Sequence, residues 1–266
     1  MNIFLEKLRR GETVFGQMIL DLFSPGIGPM LSVAGMEFVI YDMEHGRCDI
    51  GLLSQMIASC RGSQIVPMVR VPDFGAAPLS RVLDLGARGV MVPRIETKSQ
   101  AEEIVAQLKY APVGRRGVAL GISHDLYRPG NASFFQESNE STAVILLLET
   151  AKAFENLEDI LSVPGIDVAW MGHYDLTVSM GIPAEFDHPK FLDAMDRLVK
   201  VTKQRGIAAG FLPSTPESAV HWIRRGFRAI SLGSDTRVYI QAVKTFREQV
   251  SCEIEKDTRV KGAKPE

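Results

Sequence analysis

Cysteine is scarce in this chain of 266 residues: Cys48, Cys60 and Cys252 are the only three, and no two have the C-x-x-C spacing of a zinc or dithiol site. A disulfide scaffold is excluded, and a reducing cytoplasm is the expected compartment. Long apolar runs are absent as well. The N-terminus, MNIFLEKLRR, gains charge before an apolar stretch reaches signal length, and nowhere do the ~20 apolar residues of a spanning helix occur, so no membrane partner is expected. Charge of one sign is not in excess. Lys+Arg 30 against Asp+Glu 32 give a net charge of -2, which leaves no basic surplus for phosphates, and nucleic acid is not an expected partner. Three signature loops are missing too. The first apolar run is followed by Leu20-Asp21-Leu22-Phe23-Ser24 with no G-x-G-x-x-G, and neither a G-x-x-x-x-G-K-[ST] loop nor a G-x-S-x-G elbow occurs, which argues against dinucleotide enzymes, P-loop nucleotidases and serine hydrolases.

What is present is the composition of an ordinary globular protein, 45% hydrophobic and 23% charged. Eight short apolar, β-branched runs alternate with segments of helical period, at 14–20, 38–43, 65–71, 89–93, 143–148, 167–171, 207–212 and 229–232. Several are apolar almost without a break, as strands buried on both faces are. Helices are expected at 49–58, at 97–110 from Thr97, and at 190–205, stopping at Gly206. Eight strand and helix units in a chain of this length predict a single α/β domain, a (β/α)8 TIM barrel over 1–255, with a doubly wound open sheet as the alternative. Two regions break the rhythm. The Gly- and Pro-rich stretch 111–140 is too long for a simple connection and is expected over a functional face, and 256–266 is expected to be a charged, frayed tail.

In such a barrel the chemistry belongs at the C-terminal ends of the strands. Four runs end in polar groups: Tyr41-Asp42-Met43-Glu44-His45-Gly46, Val69-Arg70, Leu148-Glu149-Thr150, and Gly172-His173-Tyr174-Asp175. Glu149 follows Ala-Val-Ile-Leu-Leu-Leu and is carried into a buried position, where a carboxylate needs a partner. That partner is either an arginine or, with Asp175 on the next strand end, a shared divalent ion, for which oxygen ligation favours Mg²⁺ or Mn²⁺. For Asp175 alone the plain alternative is an N-cap of a helix from Leu176. His45, with Asp42 and Glu44 beside it, suits proton transfer near neutral pH, although isolated histidines are more often structural. Arg70 should face an anion, either a protein carboxylate or a substrate enolate. None of the lysines falls in an expected strand, so Schiff-base chemistry is disfavoured.

With these residues in place the sequence resembles the HpcH/HpaI aldolase family, metal-dependent pyruvate aldolases grouped with citrate lyase-like proteins. The ordered segments YDMEHG from Tyr41, VPMVR from Val66, LGARGVMVP from Leu85, GRRG from Gly114, Leu148-Glu149 and GHYDL from Gly172 carry the resemblance, which covers most of the chain. It implies a barrel of the phosphoenolpyruvate/pyruvate-binding type. It also implies that Glu149 and Asp175 hold a divalent metal, Mg²⁺ or Mn²⁺ with Co²⁺ or Zn²⁺ as alternatives, on which pyruvate chelates. Arg70 would then stabilise the enolate oxygen, and His45, supported by Asp42, would move the proton of the aldol hydroxyl. Backbone amides around Gly172 to Asp175, with His173 and Tyr174 between them, would hold the ketoacid carboxylate. A homo-hexamer built as a dimer of trimers is implied as well, with the last helix exchanged and Asp84 reaching a neighbour's site.

Some positions depart from the family pattern. Leu147 stands where a glutamine is common, Arg94 where a neutral residue is frequent, Ser123 and His124 occupy the loop that in relatives helps hold the aldehyde, and Leu212 resembles the hydrophobic wall on that side. The expected reaction is reversible cleavage of 4-hydroxy-2-oxoacids to pyruvate or hydroxypyruvate and an aldehyde, with the small-molecule ketoacid and aldehyde as partners. The alternatives are a lyase acting on a CoA ester and a non-catalytic ketoacid-binding barrel.

Overall fold

The computed structural model describes residues 2–262. Its eight strands are β1 (Val14–Ile19), β2 (Phe38–Asp42), β3 (Val66–Arg70), β4 (Gly89–Val92), β5 (Ala143–Leu148), β6 (Val168–Met171), β7 (Ala208–Phe211) and β8 (Ala229–Ser234). All pair in parallel and in sequence order, β8 closing on β1, so the barrel is shut and the open-sheet alternative is set aside. Each apolar run of the sequence became one strand. The helices are α1 (Ile3–Arg9), α2 (Ile27–Val33), α3 (Ile50–Ser59), α4 (Ala76–Asp84), α5 (Lys98–Leu108), α6 (Ala132–Ser141), α7 (Ala151–Glu155), α8 (Leu157–Ile160), α9 (His173–Ser179), α10 (Pro189–Arg205), α11 (Pro216–Arg225) and α12 (Asp235–Gly262).

Strand periodicity sorts the core into two. Phe38 and Ile40, Val66 and Met68, Ala143, Ile145 and Leu147, and Val168 and Trp170 point into the barrel. Val39 and Tyr41, Val69, Val144, Leu146 and Leu148 point outward against the helices. The next inward positions after Ile40, Met68 and Leu147 are Asp42, Arg70 and Glu149, so an alternation set by the apolar residues delivers three charged groups to one mouth of the barrel. Gly210 makes room for the interior. A Cβ there would lie 2.3 Å from the Trp170 ring. The opposite mouth is plugged by α1, whose Phe4 and Leu5 join the inner cluster while the Asn2 amide donates to the Arg88 and Ser141 carbonyls.

Helix ends follow local chemistry. Asp49 caps α3 through the Gly51 and Leu52 N–H groups, Thr97 and Gln100 close a capping box on α5, and Gly206 ends α10 at φ 68°. Two expectations change. The helix expected from Leu176 begins three residues earlier at His173, so Asp175 lies within its first turn and is not its cap. The stretch 111–140 does not lie over the strand ends that carry Asp42 and Glu149. It joins the end of α5 to the start of β5, both at the opposite mouth, and contains a 3-10 turn at Ser123–Asp125 as well as α6. The charged tail expected over 256–266 begins inside α12, and its last four residues lie outside the described ones. Among the described residues no helix is long and apolar enough to cross a membrane.

Candidate active site

Arg70 and Asp42 form the rigid base of the site. They are paired across β2 and β3 in register, and the guanidinium grips the carboxylate with two parallel bonds, Nε to Oδ1 and Nη2 to Oδ2, both 2.7 Å. Asp42 is fully buried and also accepts the backbone N–H groups of Glu44 and His45, at 3.0 and 3.2 Å. Burial works against the charge on Arg70, but Asp42, with Glu44 and Glu149, more than offsets it and holds the pKa above its ordinary value. The anion expected opposite Arg70 is therefore first of all a protein carboxylate. Its third nitrogen, Nη1, is 3.2 Å from Glu44 Oε2.

His45 is placed differently from the expectation. Asp42 fixes its backbone, while the carboxylate nearest its ring is that of Glu44, with Nε2 3.9 Å from Oε2. The imidazole is more than half exposed at the mouth. Glu44 did not stand among the residues assigned a role from sequence, although it lies within the Asp-Met-Glu-His run that drew attention to the segment. Its carboxylate is nearly buried and its Oε2 has no aligned hydrogen bond.

Glu149 extends from the end of β5, 5% exposed. Its Oε1 accepts the Arg94 N–H at 2.8 Å. To make that bond Arg94 adopts φ 59°, a left-handed conformation that costs a non-glycine residue about 1 kcal/mol. The Arg94 guanidinium stays largely exposed, 3.7 Å from Glu44 Oε1. Gly172 supplies the other wall: a Cβ on it would lie 2.5 Å from the Glu149 Cβ and 2.7 Å from Oε2. Burial pushes the Glu149 carboxyl up to about 7; the Arg94 bond opposes the rise, and the neighbouring Glu44 and Asp175 carboxylates add to it.

Glu44, Glu149 and Asp175 thus crowd negative charge at one strand end, where the buried cation, Arg70, is already gripped by Asp42. Among the described residues no three His, Cys, Asp or Glu side chains converge as a complete metal shell. Glu149 and Asp175 are an oxygen-only pair, the donor type that a hard divalent ion takes.

The first turn of α9 faces this pair. Leu176 N–H is bonded to the Gly172 carbonyl, and the Gly172 N–H, expected to face a carboxylate, is instead given to the Leu148 carbonyl at 3.1 Å, so the N–H groups without a partner inside the helix are those of His173, Tyr174 and Asp175. The His173 ring is buried against Tyr174, Phe186 and Phe211, which anchors that turn. Burial, aided by Arg237, brings its pKa down to about 4, so it packs as a neutral ring. Tyr174 is half exposed, and Leu212 and Leu147 belong to the apolar interior beneath the mouth.

Three assigned residues are not brought to this mouth by their own chain. Asp84 ends α4 at the other end of the barrel, where Oδ1 accepts from Arg116 Nη2 at 2.6 Å. Ser123 donates to the Leu85 carbonyl there, and His124 packs on Phe134.

A family model for HpcH/HpaI aldolase/citrate lyase matches residues 18–242. A 2-keto-3-deoxy-L-rhamnonate aldolase of Klebsiella pneumoniae is 31% identical over 242 residues, 91% of this chain and 90% of that protein. Among solved structures, an HpcH/HpaI aldolase/citrate lyase family protein from Burkholderia cenocepacia superposes with a TM-score of 0.88 at 29% identity, covering 94% of this chain and all of that one. An HpcH/HpaI aldolase from Desulfitobacterium hafniense gives 0.85 at 28%, covering 94% and 95%.

Proposed function

Because this chain belongs to the HpcH/HpaI aldolase/citrate lyase family, we propose that it is a divalent-metal-dependent aldolase that reversibly cleaves 4-hydroxy-2-oxoacids to pyruvate, or hydroxypyruvate, and an aldehyde. The observation that carries this reading is the gathering of Glu149, Asp175 and Glu44 in a mouth that also holds Arg70 and His45, where burial first and the two neighbouring carboxylates after it push the Glu149 carboxyl up to about 7. The named relative supports the substrate class, since a 2-keto-3-deoxy sugar acid is itself a 4-hydroxy-2-oxoacid.

Glu149 and Asp175 would hold Mg²⁺ or Mn²⁺, with Co²⁺ or Zn²⁺ as alternatives, and the ion would supply positive charge to offset the enolate as it forms. Arg70 adds a second positive charge, preorganised by its two-bond grip on Asp42, so little reorganisation is needed when negative charge develops. The first-turn N–H groups of His173, Tyr174 and Asp175 would receive the ketoacid carboxylate. His45 stands at the open side of the mouth with Glu44 near its ring, and takes the proton of the C4 hydroxyl as the bond to C3 breaks, returning it in synthesis. Leu212 and Tyr174 line the route for the aldehyde. Asp84, Ser123 and His124 would serve a neighbouring subunit's site within a hexamer, working in the cytoplasm.

The test is exchange of the pyruvate methyl protons in D₂O, followed by NMR with Mg²⁺ or Mn²⁺ and then with EDTA. Metal-dependent exchange that Glu149→Gln abolishes supports enolisation at this site. If pyruvate, hydroxypyruvate and 4-hydroxy-2-oxoacids all prove inert while a CoA ester is cleaved, the aldolase reading gives way to the lyase one.

A further inference from the structure

β8 passes directly into α12: Ser234 ends the strand and Asp235 begins the helix. At this seam the pairing of β1 with β8 shifts register between Gly16 and Met18, and side chains take over from the ladder. Ser231 Oγ accepts the Met18 N–H at 3.0 Å. Beyond it the Asp235 carboxylate, 3% exposed, accepts three consecutive backbone N–H groups: Leu20 on Oδ1 at 3.1 Å, and Asp21 and Leu22 on Oδ2 at 3.0 and 2.6 Å. One buried carboxylate thus fixes the segment that leaves β1 at the active mouth.

That segment bears on the one carrying His45. A Cβ on Gly46 would lie 2.6 Å from Phe23 Cζ and 3.0 Å from the Leu20 carbonyl oxygen, so the two loops touch backbone to backbone. Arg47 Nε is 3.2 Å from Asp21 Oδ1 across the same junction. On the other side the loop rests on Asp42, which accepts the Glu44 and His45 N–H groups and whose carbonyl oxygen would lie 2.4 Å from the same Gly46 Cβ, while the His45 ring is more than half exposed, so the Leu20 to Phe23 wall bounds the loop on the side that faces away from Asp42.

We propose that Asp235 is a positioning residue for His45: by holding the three N–H groups after β1 it sets the wall on which the His45 loop rests. It hydrogen-bonds neither to the site carboxylates nor to Arg70, and acts through the loop after β1, which it holds across the seam, and the loop after β2 that packs on it. The kinetic part of the proposal rests on the aldolase reading; the structural part does not.

The test uses the full chain carrying Asp235→Asn, which offers one acceptor oxygen in place of two, and reads two things. Amide hydrogen exchange is expected to rise by about tenfold or more in 20–24 and 43–48, with β2 and β3 unchanged. In aldol cleavage kcat is expected to fall about a hundredfold with little change in KM, and adding His45→Ala to Asp235→Asn should cost little more. Phe23→Ala probes the same junction without touching the seam. It should loosen 43–48 while 20–22 stays protected. Unchanged exchange at 43–48 in both variants, or fully additive losses with His45→Ala, would overturn the proposal. A wild-type enzyme that cleaves no ketoacid sinks the aldolase reading alone, because the exchange pattern still decides whether Asp235 governs the His45 loop.

Discussion

Glu149 carries a linkage between charge and stability that can be measured without knowing the substrate. Its carboxyl stands at about 7 against an ordinary 4.5, through burial first and through Glu44 and Asp175 after it. A raised folded value means that the folded chain holds the proton more tightly than the unfolded one. The resulting stabilisation is complete below pH 4.5 and is lost as the pH rises through about 7. The size is about 3 kcal/mol, at 1.36 kcal/mol for each pH unit. Glu149→Gln keeps an oxygen for the Arg94 N–H and removes the charge, so it does not lose this stabilisation at high pH. In EDTA the variant should melt with the wild type near pH 4.5 and about 5 °C above it at pH 8, the shift expected of ~3 kcal/mol in a chain of this length. Adding Mn²⁺ or Mg²⁺ at about a hundred times its dissociation constant at pH 8 should raise the wild type by about 2.7 kcal/mol and leave the variant where it was, so most of the gap between the two closes. Thermal melts across pH 4.5–8.5, with EDTA and with metal, make the measurement. Parallel pH profiles for the two proteins in EDTA would refute the reasoning, because they would mean that Glu149 ionises in the folded chain as easily as in the unfolded one.

Other outcomes follow from the same geometry. Gly172→Ala has no backbone strain to overcome at φ -90°, but its Cβ would displace the Glu149 carboxylate, so activity should fall about a hundredfold while the circular dichroism spectrum stays native. Arg70→Met leaves the fully buried Asp42 without its cation and should cost about 3–5 kcal/mol in denaturant melts, whereas Arg70→Lys should recover part of that loss and little of the activity. If Asp84 serves a neighbouring subunit, Asp84→Asn and Glu149→Gln will each be inactive, and subunits mixed after dissociation will regain up to about a quarter of wild-type activity. No recovery from a mixture shown to contain both chains would return Asp84 to a structural role with Arg116 at the far mouth.

The barrel was legible because the forces that set it are local. Runs such as Ala143–Leu148 are apolar on both faces, each becomes a buried strand, and a parallel strand needs a helix to return the chain, so the order of runs prescribes the order around the barrel. The alternation that points Ile40, Met68 and Leu147 inward also points Asp42, Arg70 and Glu149 inward, which is why polar residues at the ends of apolar runs share one mouth of the barrel. Closure decided the rest. Whether His45 answers to Asp42 or to Glu44, that Arg94 must turn left-handed to reach Glu149, and that Gly172 must lack a side chain depend on how strand ends meet at the mouth. The stretch 111–140 reads as a functional loop from its glycines and prolines, but its position between a helix end and a strand start puts it at the far mouth. Asp235 has no local mark at all: its three partners lie 213 to 215 residues away, and only the meeting of the first strand with the last brings them within reach. Periodicity records what each residue needs from its near neighbours, whereas the identity of distant partners is fixed by register and closure, which no short window of sequence contains.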